Sequence, residues 1–233
     1  MGHLESEKYL IAVSIASTFL TIIFWSFGFL RMGTVGLVSQ TFGKSDYREL
    51  VNIILRNFCI AIIIAFLIII FKPILVNIVF QIFAVSSETN FFIKDYISIR
   101  VFSAPAELTI YVLVGFFLGI QRTVISSFLV ILLSVLNICF SIYFVNILDL
   151  NVKGVAFGTL LSAYITVLLF SVYTYFYIIK KSKVIPRFAY KKLLNFKKIY
   201  KLLIINFNIF IRTVLLTFSF FWITYLGSTL GEE

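Results

Sequence analysis

One carboxyl sits where an apolar sequence tolerates it least. Glu107 lies inside the apolar stretch Ile97–Ile120, on one helical stripe with Arg100, Ser103 and Tyr111. A charged group near the middle of a membrane span is costly, so such residues face a cavity or a partner and mark ion or substrate paths. The chemistry on offer is reversible, because a carboxyl can take up a proton or hold a cation. Pro105, two residues earlier, removes a backbone donor and crowds the preceding turn, so a bend is expected there. Beside a functional group that bend is a hinge; otherwise it is a packing kink. Arg100 is two turns away, about 10 Å along a helix axis. That distance argues against a permanent salt bridge and leaves Glu107 free to exchange its partner. The plainer alternative makes Glu107 a structural residue, either protonated or paired with Arg100.

Other polar residues recur at helical spacing: Ser134, Asn137 and Ser141; Thr159, Ser162 and Thr166; Asn206, Thr213, Thr217 and Thr224. Such rows can line a cavity, or simply let membrane helices approach and hydrogen-bond. Arg31, Arg56 and Arg212 lie nearer span ends, where snorkelling is expected. His3 is the sole histidine, and the spans carry neither a Ser–His pair nor two aspartates, which argues against an intramembrane enzyme. Cys59 and Cys139 have no metal or redox spacing and are expected as buried, inert thiols. No cofactor is implied.

The elements that must carry these residues are membrane helices. The chain of 233 residues is 61% hydrophobic and 13% charged, with a mean hydropathy of +1.06. Soluble domains carry about 25% charged residues, so the fold class is an all-α, polytopic membrane bundle whose main partner is the lipid bilayer. A span needs about 20 apolar residues. Six are expected: Tyr9–Leu30, continuing to about Phe42; Glu49–Phe71, ended by Lys72-Pro73; Ile97–Ile120; Val124–Leu148; Gly154–Ile179; and Leu202–Leu226. Pro73–Ser87 is read as a turn plus the entry of the next helix. The net charge of +10 does not signal nucleic acid, because nine Lys and Arg crowd the connector Lys180–Lys201 between apolar spans. Positive loops lie inside, so this connector, Lys44, Arg48 and Arg122 are expected in the cytoplasm and both chain ends outside.

Four segments together resemble the multidrug and toxic compound extrusion (MATE) family, in its DinF-like branch. They are Gly2-His3-Leu4-Glu5-Ser6 with Phe29–Thr34 and Gln40–Gly43; Arg100–Ala106 with Gly115–Gly119; Asn137-Ile138 with Phe144-Val145 and Gly154–Ala156; and Asn206–Thr213. Each is weak alone, but their order and spacing cover nearly the whole chain. The resemblance implies a transporter of twelve helices in two lobes. This chain would hold helices two to seven: residues 1–179 as most of the N-terminal lobe, 180–201 as the inter-lobe connector, and 202–233 as the first span of a C-terminal lobe that is otherwise missing. The implied localisation is the bacterial inner membrane. The family exports cationic or amphipathic compounds against inward H⁺ or Na⁺. Its coupling site implies a role for Asn137 and Thr159. The family's helix-five aspartate falls at Ser141, and a glutamate common on helix six falls at Ala163. Those carboxyls are absent here, and Glu107 supplies one where the family has an uncharged residue.

The function expected is a cation-coupled antiporter for organic cations, drugs or metabolites, from an incomplete chain. Ion-coupling candidates are Glu107, Asn137, Ser141 and Thr159. Cavity-lining candidates are Arg100, Ser103, Tyr111, Ser162, Asn206 and Thr213, with Pro105 as hinge. Alternatives are a lipid-linked oligosaccharide flippase of the same superfamily and a non-transporting decayed fragment. The charge bias makes one direct prediction. A cysteine placed at Lys191 reacts with a membrane-impermeant maleimide only after the cells are permeabilised; labelling of intact cells reverses the orientation.

Overall fold

The computed structural model describes residues 7–83 and 86–182, with positions 200, 204, 207–212, 215, 216, 219 and 222 beyond them. Eight α-helices fall in the continuous part: α1 (Glu7–Ser26), α2 (Phe29–Gly43), α3 (Tyr47–Ile70), α4 (Lys72–Ile82), α5 (Ser87–Arg100), α6 (Ala104–Gly119), α7 (Thr123–Ile142) and α8 (Asn151–Ser182). In membrane terms they make five spans long and apolar enough to cross a bilayer, with α1–α2 and α5–α6 each counting as one. Only helices and closed barrels satisfy the backbone inside lipid, and an almost unbroken apolar sequence can do so only as helices. Of the sixth expected span only those scattered positions are described, and most of the connector 180–201, with Asn206 and Thr213, lies outside the described residues.

Three expectations change. The third span begins at Ser87, ten residues before the apolar run signals it, because Ser86 caps the helix by accepting from the Thr89 N–H. The second span ends at Ile70, just before Lys72-Pro73, as expected, but Pro73 does not lie in a mere turn. It sits in the first turn of a new helix, α4, where its missing donor does no harm, and α4 packs on α5 through buried Val76 and Val79. Cys59 and Cys139 are exposed on the outside of the bundle rather than buried.

Tight turns close the α2–α3 and α6–α7 hairpins. Ser45 and Gln121 take left-handed φ values of 55° and 61°. That conformation lets the Asp46 and Arg122 N–H groups reach back to the Thr41 and Phe117 carbonyls. Spans one and three run parallel and pack directly on each other, α1 on α5 and α2 on α6, with α3 against both α2 and α6. Two apolar clusters fill the bundle. One joins α1, α4, α5 and the far half of α3. The other joins α2, the near half of α3, α6 and α7, with Phe116 and Phe117 set against Phe170, Tyr173 and Tyr177 of α8.

Glycines set the closest helix contacts. A Cβ on Gly115 would lie 2.6 Å from the Arg31 carbonyl oxygen, and one on Gly119 2.7 Å from Val38 Cβ. These glycines fix the α2–α6 seam. Gly154 and Gly158 fix the α7–α8 seam, where a Cβ on Gly158 would lie 2.6 Å from Ser141 Oγ. Small residues let membrane helices approach until their backbones touch. Replacing Gly115 with leucine forces α2 and α6 apart, with an expected loss of about 3 kcal/mol. Gly36, with nothing within 4 Å, accepts alanine without loss. Thermal unfolding in detergent reads both; equal melting temperatures for the two variants would refute the seam.

Candidate functional site

Spans one and three each break in mid-course. Between α1 and α2 the chain leaves the α-helix at Phe27-Gly28. Between α5 and α6 it tightens into a 3₁₀ turn, Val101–Ser103, and Pro105 occupies the first turn of α6. The break therefore precedes the proline, as expected of a residue that cannot donate to the turn before it. The irregularity expected near Pro105 takes the form of the 3₁₀ turn at Val101–Ser103.

A single arginine bridges that break. Arg100 Nη2 donates to Glu107 Oε1 at 2.9 Å, its Nη1 donates to Ser103 Oγ, and Ser103 Oγ donates to the Arg100 carbonyl at 2.7 Å. The two charged side chains are 12% and 15% exposed, so the pair is largely withdrawn from solvent. This corrects the expectation that Arg100 lies too far from Glu107. A glutamate leans toward the N-terminal end of its helix, and the extended arginine covers the rest. The same seven-residue separation is spanned within α3, where Arg56 Nη1 donates to Glu49 Oε1 at 2.9 Å. Arg56 is thus a buried, paired residue and not a snorkelling one.

Neighbouring helices enclose the pair. The Phe24 ring of α1 lies 5.3 Å from the Arg100 guanidinium carbon, a cation–π contact. Tyr96 of α5, buried, lies beside Arg100, Glu107 and Thr159 of α8. Tyr111 of α6 lies near Glu107, Arg100 and Arg31 of α2. Arg31 itself is exposed, outside the enclosed pair. Tyr96 and Phe24 were missed as site residues. The stripe Tyr96–Arg100–Ser103–Glu107 at i, i+4, i+7, i+11 carries a signal for Tyr96, while nothing local marks Phe24.

The structure brings together Glu107, Arg100, Ser103, Tyr111 and Thr159. It does not bring Ser141 or Asn137 to them. Ser141 packs against Gly158 in the α7–α8 seam, and its Oγ is buried without a hydrogen-bond partner. Asn137 lies half-buried one turn earlier on the same face. Ser162, fully buried, donates its hydroxyl to the Thr159 carbonyl at 2.9 Å, while its own backbone carbonyl accepts from Thr166 Oγ1 at 2.8 Å, so both bonds run along α8. A groove of about 460 Å³ between α7 and α8 is lined by Val124, Ile125, Phe128, Leu132, Leu169, Phe170 and Tyr173. It offers dispersion contacts but nothing to hold an ion, so the chemistry belongs to the Arg100–Glu107 cluster.

An apolar helical bundle with parallel broken spans and an intramembrane ion pair is the architecture of a membrane transporter. The MatE family profile matches residues 1–143, and the chain belongs to the MatE family, whose members are transporters and not enzymes. Over 235 aligned positions it is 30% identical to the DNA damage-inducible protein F of Escherichia coli, covering 100% of this chain and 50% of that protein. Its fold is that of solved MATE structures. A MATE in the bent conformation superposes with a TM-score of 0.79 at 21% identity, over 98% of this chain and 50% of that one. A MOP superfamily transporter from Pyrococcus furiosus gives 0.75 at 21% identity, over 93% and 47%. The chain therefore spans about half the length of the relatives it matches.

Removing one partner of a buried ion pair strands the other charge, at a cost of about 3–5 kcal/mol. Arg100→Met alone and Glu107→Leu alone should each lower the melting temperature in detergent, and the double variant should recover most of the loss. A double variant as unstable as the sum of the singles would show that the two side chains do not interact.

Proposed function

We propose that this chain forms most of one lobe of an ion-coupled exporter of small amphipathic or cationic compounds in the bacterial inner membrane. The coupling group is Glu107, exchanging its partner between an inward-moving H⁺ or Na⁺ and an internal or transported cation. The observation that carries this reading is the Arg100–Glu107 pair, set across a broken helix in the middle of span three. Carboxylates inside transporter spans mark proton and ion paths, and breaks in such helices occur where the backbone lines a site.

The physical sequence is short. With Glu107 ionised, Arg100 clasps α5 to α6. When the carboxyl is neutralised, Arg100 keeps Ser103, Tyr96 and the face of Phe24 but loses its ionic partner, and the junction at Val101–Ser103 is free to bend about Pro105. Thr159 joins through Tyr96. Asn137 and Ser141 act at the adjoining seam, where they set how closely α7 and α8 pack.

The test uses the natural full-length protein in proteoliposomes. Glutamine at 107 keeps the shape and hydrogen bonding of glutamic acid but takes up no ion. Glu107→Gln should reduce ion-driven efflux to background at normal expression, while Glu107→Asp retains part of it. Unchanged efflux in Glu107→Gln leaves the residue as structure and nothing more.

A further inference from the structure

Span four is the least covered of the five: 6% of its apolar window is buried inside the described residues, against 28–72% for the others. Of α7 only Ser126 and Leu129 are buried. Its open side and α8 form the groove of about 460 Å³. Val124, Phe128 and Leu132 recur there at every fourth residue. At about 100° per residue they fall on nearly the opposite side of α7 from Ser134, Asn137 and Ser141. On α8 the groove begins at Leu169, ten residues or about 15 Å along the axis from Thr159. It is therefore separate from the polar row and from the Arg100–Glu107 cluster.

Length, level and charge define what fills it. Leu132 to Val124 covers about 12 Å of helix, close to the depth of hydrocarbon in one leaflet, about 15 Å. The walls are aliphatic and aromatic, with Phe128 6.3 Å from Phe170 between ring centroids. Tyr173, Tyr175 and Tyr177 precede Lys180 and Lys181 at the open end, and tyrosines followed by lysines mark the level of the lipid headgroups. Lys180 lies two turns beyond Tyr173 on the same stripe of α8. Arg122 caps the start of α7, two residues before Val124. Both cations are exposed, and neither joins an ion pair among the described residues. We infer that the α7–α8 groove is a binding site for an anionic phospholipid. One acyl chain lies against Val124, Phe128, Leu132, Leu169 and Tyr173, and the headgroup phosphate sits between Arg122 and Lys180, whose long side chains reach up to it from the groove mouth. The site does not depend on the role of Glu107. The headgroup is selected by charge, because a zwitterionic lipid brings an ammonium group that the two cations repel. A lipid held there ties the start of α7 to the end of α8, where the chain leaves the membrane for the basic connector.

The natural full-length protein is placed in phosphatidylcholine nanodiscs with a trace of phosphatidylglycerol or phosphatidylcholine spin-labelled near the end of one acyl chain. Electron paramagnetic resonance reads the motionally restricted component that unlabelled phosphatidylglycerol displaces. The wild type should hold labelled phosphatidylglycerol about tenfold more tightly than labelled phosphatidylcholine, or better, as two basic residues at the headgroup level imply. Arg122→Gln and Lys180→Gln should each lower that preference about fivefold. Lys180→Arg should keep it, and so should Lys94→Gln, which removes a charge from α5 at the other end of the bundle. Leu169→Trp fills the groove and should abolish the displaceable component at an unchanged melting temperature; Val124→Trp, at the exposed mouth, repeats the test should Leu169→Trp fail to fold. Equal retention of the two labels by the wild type overturns the inference. So does loss of preference in the charge variants while both groove variants keep the component, which is attraction to a basic surface alone. No effect of any variant means that the remainder of the natural chain fills the groove, and overturns it as well.

Discussion

Inside hydrocarbon a helix has no water to repair its backbone, so any interruption must be patched by the protein itself. The interruption at Val101–Ser103 is patched with few parts. The Ser103 hydroxyl takes the Arg100 carbonyl that the turn releases, and the Arg100 side chain ties Ser103 and Glu107 together from the other side. The ionic contact is therefore also a repair of the main chain. Much of the bundle is arranged around this repair. Phe24 and Tyr96 close over the guanidinium. Glu107 falls where the two apolar clusters meet, since Leu108 belongs to one and Ala106 and Ile110 to the other.

This dual use explains why the pair is worth keeping despite its desolvation. A buried salt bridge is weak evidence for stability in itself, because apolar residues of similar size often do as well. Two leucines at these positions would fill the space but leave the broken turn with one tie fewer and no group that changes state. An ion pair gives the junction two distinct energies, one for each condition of the carboxyl. A transporter needs that bistability at a point where a small rotation is amplified along a long helix.

The membrane helices were largely legible in the sequence, because a run of apolar residues in lipid has one backbone solution. Glu107, Arg100 and Ser103 were legible as a stripe for the same reason, since period alone aligns them. What escaped notice depended on reach and on contacts across helices. The separation of Arg100 from Glu107 was judged from the axis and not from side-chain length. Phe24 comes from a different span, and nothing local in its own segment announces its partner. Ser141 and Asn137 were grouped with Glu107 through family resemblance. The structure turns them toward the α7–α8 seam, where Gly158 brings the backbones together and no carboxylate is near. Lys72-Pro73 marks the end of the second span, but proline also begins helices, and the short helix that follows is anchored by buried Val76 and Val79.

The glycine seams carry a genetic consequence. Every single-base change that alters the meaning of a glycine codon gives a larger residue or a stop. Gly115, Gly119, Gly154 and Gly158 each sit with a neighbour closer than an ordinary carbon contact to where a Cβ would be. These positions have no conservative neighbour in codon space. Spontaneous alleles at them should be recovered as losses of the whole protein, at a frequency out of proportion to their share of the gene, while alanine alleles at open Gly36 and Gly43 pass silently.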